Sequence, residues 1–216
     1  MNGAVDVATS ELPLFPLQTV LFPGGLLSLK VFEARYLDLV ATCLREQQAF
    51  GVVALRTPVG ANGHPNERNG QEADPSADFE STGVVAELID VDSTRAGILQ
   101  VRCRGLQRFS LAARRRQDDG LWLAGTTSLP DDAAVAPALA MLDTVKGLAN
   151  AIATLKGQGA QPFLQPYRFD SAGWVANRWC EILPISTTAK QRLMELGDPT
   201  VRLQLVDEYL RSKGVV

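Results

Sequence analysis

The side chains able to do chemistry are few in this 216-residue chain, and their spacing gives them little to do together. There is one histidine, His64, beside Pro65 in a polar stretch, and the three cysteines Cys43, Cys103 and Cys180 are odd in number and far apart. Zinc needs three or four clustered ligands. A Ser-His-Asp or Cys-His arrangement needs a histidine within hydrogen-bond reach of its nucleophile. Neither is expected here. Gly157 and Gly159 are followed by Ala160 and Gln161, not by the Gly-Lys-Ser/Thr end of a phosphate loop, so nucleotide hydrolysis is not expected either. The lysines, Lys30, Lys146, Lys156, Lys190 and Lys213, stand in no nucleophile motif. Glu87 and Asp90 are three apart on an expected strand, which puts them on opposite faces and makes a poor acid-base pair. The reading is of a chain with no catalytic residue, no metal and no cofactor.

One pattern does stand out. Residues 95–116 hold seven arginines (95, 102, 104, 108, 114, 115 and 116) and no acid, against a net charge of −3 for the whole chain. In a strand alternate residues share a face, so Arg102 and Arg104 should point one way while Val101 and Cys103 point the other. The stripe is either a solvated sheet face or a surface for acidic peptides or nucleic acid.

These residues need elements to hold them. Short alternating or extended runs at 12–15, 26–31, 51–55, 84–91, 98–104, 109–114 and 121–127 predict strands. The last four are joined by short connections, so an antiparallel meander closing into a small barrel is expected. Residues 32–47 place Phe32, Tyr36, Leu39, Val40, Cys43 and Leu44 on one helical stripe that caps this barrel. Residues 57–82 turn polar, rich in Gly, Pro and Asn, and read as a binding loop or a disordered segment.

After Pro130 the period changes to 3.6, beyond a linker at 131–137. Leu142, Val145, Leu148, Ile152 and Leu155 mark one helix. Ser171 caps a second that carries Val175, Trp179 and Ile182. A third spans 187–196, and Asp198-Pro199 opens a fourth with Leu203, Val206 and Leu210 inward. The fold class expected is thus α+β: an antiparallel barrel with one inserted helix over 1–130, then a helical bundle over 131–216. No apolar run reaches membrane length, and the first twelve residues lack the features of a secretory signal. A soluble, cytoplasmic protein without membrane contact is therefore expected.

Two runs carry a resemblance. The first is Leu12-Pro-Leu-Phe-Pro-Leu-Gln-Thr-Val-Leu-Phe-Pro-Gly-Gly25, followed by Leu27-Ser-Leu-Lys-Val-Phe-Glu-Ala-Arg-Tyr-Leu37. The second comprises Gly83-Val-Val-Ala-Glu-Leu-Ile89 and Val101-Arg-Cys-Arg-Gly-Leu-Gln-Arg-Phe109. Together with Leu183-Pro-Ile-Ser, 190–196 and 202–205, they resemble the amino-terminal substrate-recognition domain of Lon-type ATP-dependent proteases. The resemblance implies a PUA-like β-barrel followed by a helical bundle, and recognition of unfolded or degradation-marked polypeptide, with a separate protease or chaperone as a further partner. It implies no ATPase or peptidase activity, since the chain ends at Val216 before such modules. The binding candidates are Phe22 in the Pro-Gly loop, Tyr36 if its ring edge is exposed, and Arg102, Arg104 and Arg108 of the basic stripe. The alternative is RNA or other nucleic-acid binding through a PUA-like barrel and the 95–116 stripe.

Overall fold

The computed structural model describes residues 11–56 and 78–216 of the chain. It is a mixed α+β structure with a six-stranded sheet and five helices among the described residues. The strands are β1 (Glu11–Leu17), β2 (Leu26–Val31), β3 (Phe50–Leu55), β4 (Phe79–Arg95), β5 (Ile98–Arg116) and β6 (Trp122–Ser128). The helices are α1 (Ala34–Glu46), α2 (Leu142–Gly157), α3 (Ala172–Ile182), α4 (Thr187–Glu195) and α5 (Pro199–Ser212), with a 3₁₀ turn at Leu139–Met141 before α2.

The order of strands is β2-β5-β4-β3-β1-β6, and β6 pairs back onto β5. Five strands therefore form a closed ring of pairings, with β2 added to β5 outside it. The expected antiparallel barrel is corrected in two places. The runs at 98–104 and 109–114 are one 19-residue strand, β5. It pairs with β2 over Leu99–Arg104 and with β6 over Phe109–Arg116. And β1 runs parallel to β3, Phe15 opposite Val52, because α1 intervenes as a crossover between β2 and β3.

Gly105, read as a turn, is a strand residue whose missing side chain admits another backbone. A Cβ there would lie well inside contact distance of the Phe22 carbonyl oxygen. The Pro-Gly loop docks on this notch: Gly24 N–H donates to Gly105 O at 2.8 Å, and Gly105 N–H donates to Gly25 O at 2.9 Å. Gly24 has φ +70°, open to glycine at little strain. Pro16 lies in β1, which runs past the strand expected at 12–15. The β6 pairing ends at Leu14, which leaves Pro16 one strand neighbour and makes its missing donor tolerable.

The helix starts follow the sequence closely. The side chain of Ser171 accepts from Trp174 N–H at 3.3 Å, Ser186 from Ala189 N–H at 3.1 Å, and Asp198 from Thr200 N–H at 2.8 Å. Along α1, Tyr36, Leu39, Val40 and Cys43 are buried as the stripe requires. Phe32 precedes the helix and Leu44 sits one position round from Cys43, and both are exposed. Leu142 is likewise exposed at the first turn of α2, whereas Leu148 and Ile152 are buried.

One hydrophobic cluster joins Phe15, Phe22 and Phe50 of the strand region to Leu148, Val175, Trp179 and Leu203 of the helices. A smaller one gathers Leu14, Val53, Phe79, Phe109 and Ala124. Adjacent residues of β1 and β3 thus enter different clusters, which is why those strands read as continuous apolar runs. Phe79, assigned to the polar connection by its sequence, opens β4 and is buried. Residues 80–82 of that connection also belong to β4, and 57–77, with His64, lie outside the described residues.

Candidate functional site

Three of the five sequence candidates are inside the protein. Phe22 has no exposed surface. Tyr36 presents no ring edge: it stacks on Phe15 with centroids 3.9 Å apart and planes at 10°, and burial raises its phenol above the usual range. Arg108 is 4% exposed and donates to the carbonyls of Met194 (3.1 Å), Leu196 (2.8 Å) and Pro130 (2.9 Å) and to Asp132 Oδ1 (3.0 Å).

Asp132 serves a second buried guanidinium. Arg202 donates to it, to Asn177 Oδ1 at 2.9 Å and to the carbonyls of Leu193 and Leu196. Two cations on one carboxylate leave an excess positive charge, and desolvation lowers the Arg108 pKa against the pull of Asp132. The surrounding carbonyl oxygens supply the missing negative potential. A third buried arginine, Arg178, donates to the Pro23 and Gly24 carbonyls and pairs with Glu181 at 2.8 Å. These three arginines bind β5, the Pro-Gly loop and the helices into one seam. None of the three offers its charge to a partner.

The other two candidates are outside. Val101 and Cys103 are fully buried, Arg104 is exposed and Arg102 half-buried, as the alternation requires. Arg104 pairs with Glu87 at 2.6 Å, Arg115 with Glu11 at 2.7 Å and Arg114 with Asp78 at 3.9 Å. Much of the stripe is therefore neutralised from neighbouring strands. The expected separation of Glu87 and Asp90 is corrected by a bulge. Glu87 stands opposite Arg104 and Asp90 opposite Arg102, so the extra residue between them returns both acids to the arginine face. Asp90 forms no ion pair with Arg102.

Arg102 opens into a groove of about 560 Å³ that it lines with Lys156, Gln161, Phe163, Gln165 and Tyr167. The far wall is the α2–α3 connection. It turns at Gly159 (φ +81°) and is backed by packed aromatics, Tyr167 5.8 Å and Phe169 5.3 Å from the Trp174 ring. Lys156 Nζ lies 4.7 Å from the Tyr167 ring centroid, which holds the ammonium at the rim. Arg178 stands 5.6 Å from the Phe163 ring while holding Pro23 and Gly24, so the wall is tied to the loop that leads into β2. Among the described strands β2 pairs only with β5, which leaves its other edge open. Sequence reasoning singled out Arg102 and missed Lys156, Gln161, Gln165 and Tyr167. The available signal was a cluster of aromatics (Phe163, Tyr167, Phe169, Trp174) around a Gly- and Pro-rich connection.

Burial raises the Cys43 thiol and pushes Cys103 and Cys180 up to about 12, so these remain thiols at neutral pH. Among the described residues no group of three His, Cys, Asp or Glu could hold a metal, and no helix is long and apolar enough to cross a membrane.

Comparison with known proteins places this geometry. A Lon protease from Anaeromyxobacter dehalogenans is 24% identical over 210 residues, and one from Paraburkholderia phytofirmans 28% over 214, each covering 94% of this chain. The chain spans about a quarter of the length of these relatives. Among solved structures, a Lon N-terminal domain protein from Xanthomonas campestris matches with TM-score 0.70 and 28% identity, covering 91% of this chain and 96% of that one. The N-terminal domain of a Mycobacterium avium complex Lon protease shares the fold, with TM-score 0.59 at 15% identity. The family model of the ATP-dependent protease La (LON) substrate-binding domain matches residues 11–212, and the chain belongs to that family.

Proposed function

We propose that this chain is a non-catalytic polypeptide-recognition module that takes up extended, unfolded or degradation-marked segments. The observation that carries the reading is the match of a substrate-binding domain model along residues 11–212. The site is the groove between Arg102 on the outer face of β5 and the α2–α3 connection, taken together with the unpaired edge of β2, the strand whose Ser28 stands opposite Arg102. A segment added along that edge gains backbone hydrogen bonds whatever its sequence, and the groove supplies pockets for alternate side chains. Arg104 extends the same face. Phe22, Tyr36 and Arg108 act as scaffold for it.

Within this proposal the closed ring of strands is a PUA-like barrel, 1–130 and 131–216 are subdomains sharing one core, and no ATPase or peptidase chemistry belongs to the module. A separate protease or chaperone would take over the bound segment. A cytoplasmic setting fits three buried, unpaired cysteines. The nucleic-acid alternative is weakened by the stripe's own ion pairs, which leave few guanidiniums for phosphates.

Fluorescence anisotropy against an array of peptides from denatured proteins, with a structured RNA as control at low and high salt, tests the reading. Saturable peptide binding that survives salt is expected. RNA binding that falls steeply with salt, with no peptide binding, would sink it.

A further inference from the structure

We infer that the groove selects polypeptide segments carrying a carboxylate side chain next to an aromatic or large apolar residue. This deepens the recognition reading and rests on it. The charge of the groove carries the argument. Its lining contains two cations, Arg102 and Lys156, and no acid. Three other exposed arginines of β5 already have carboxylates from β1, β4 or Asp78, whereas Arg102 has no ion pair among the described residues, although Asp90 stands opposite it in the register.

Lys156 is held by the Tyr167 ring and by no carboxylate among the described residues. An arriving acid can pair with that ammonium without displacing an existing ion pair. Both cations face a concave, partly apolar wall whose lining holds no acid, so their like charges add to a positive potential there. Gln161 and Gln165 add amide donors and acceptors at the rim, suited to the backbone of an extended chain. Leu164 and Tyr167, both half-buried, offer apolar surface for the neighbouring side chain, with the buried Phe163 behind them. A phosphodiester backbone meets the same charge less well. It would need cations along its whole length, and those flanking Arg102 on β5 are largely paired.

The test uses the full chain and three fluorescein-labelled Gly-Ser peptides of roughly ten residues, with Asp-Phe-Asp, Asn-Phe-Asn or Lys-Phe-Lys at the centre. At about 0.05 M salt the acidic peptide should bind about tenfold more tightly than the neutral one, with the basic peptide weakest, and the gap should shrink at about 0.5 M. The Arg102→Gln/Lys156→Gln double variant, with unchanged circular dichroism, should bind acidic and neutral peptides alike, and Arg102→Lys/Lys156→Arg should keep the preference. Equal binding of all three peptides by the native chain, or a preference that survives the double Gln variant, overturns this inference and leaves the recognition reading standing. Binding of none of the three, nor of any array peptide, overturns that reading itself. Displacement of the acidic peptide by a structured RNA at stoichiometric amounts overturns the choice of a carboxylate over a phosphate.

Discussion

Two sets of arginines meet opposite fates, although Arg108 of the inner set stands on the same strand as all of the outer set. Arg108, Arg178 and Arg202 lie inside, with at most 4% of their surface exposed, and donate to carbonyl oxygens and carboxylates from several elements at once. Arg104, Arg114 and Arg115 lie outside, each with an acid contributed by a neighbouring strand or loop. The difference teaches that residue type does not set the role of a cation. What decides it is whether backbone acceptors converge on it without water. Inside, a lost partner strands a charge or a carbonyl. Outside, water replaces it.

The largest expected effect breaks the inner set. Arg108→Leu removes one of the two cations on Asp132 and takes a donor from three carbonyls, of which only Leu196 keeps Arg202, and should cost about 3–5 kcal/mol in denaturant unfolding. A cost as small as that of an outer arginine would erase the distinction.

Next comes pH. Burial pushes the Glu181 carboxyl up to about 7 despite the pull of Arg178 and Lys190, from an ordinary value of 4.5. A raised folded-state pKa means the folded protein holds a proton that the unfolded chain has released between those values. The stability this group contributes is complete below about 4.5 and is lost as pH rises through about 7. Unfolding midpoints taken from about pH 5 to about pH 8 should therefore fall by the equivalent of roughly 2 kcal/mol, and Glu181→Gln should flatten that slope.

A gentler probe is Gly173→Ala, whose Cβ would meet Asp132 Oδ2 at 2.6 Å. The displaced carboxylate weakens its hold on both guanidiniums. Better helix propensity offsets part of this, for a net loss of about 1 kcal/mol in thermal unfolding. The smallest effect is Arg104→Ala, which should cost under about 1 kcal/mol, less still in high salt. A double-mutant cycle with Glu87→Gln would sharpen that figure.

Much of this architecture was legible because local rules wrote it. Ser171 and Asp198 announce their helices, and the alternation of Val101, Arg102, Cys103 and Arg104 sets the faces of β5. What was not legible depends on distant backbone. Gly105 looks like a turn until the Phe22 carbonyl is placed against it. The bulge between Leu88 and Asp90 has no local signature, so the face of Asp90 was misjudged. A helical pattern only sorts polar from apolar residues and gives no sign of the burial of Arg178 and Arg202, which the converging carbonyls of Pro23, Gly24, Leu193 and Leu196 explain. The groove was half visible: Arg102 follows from strand period, whereas its partners sit on a connection whose path no periodicity describes.

Asp132 falls in the stretch whose composition suggests a spacer between strand and helix regions. Because it is clamped by β5 on one side and α5 on the other, that stretch is a keystone and not a hinge. Cutting the chain after Pro130 would release neither half intact. Each would keep an arginine whose only carboxylate, or whose anchoring carbonyls, had left with the other piece. The two regions are therefore joined through their buried charges as well as through the chain.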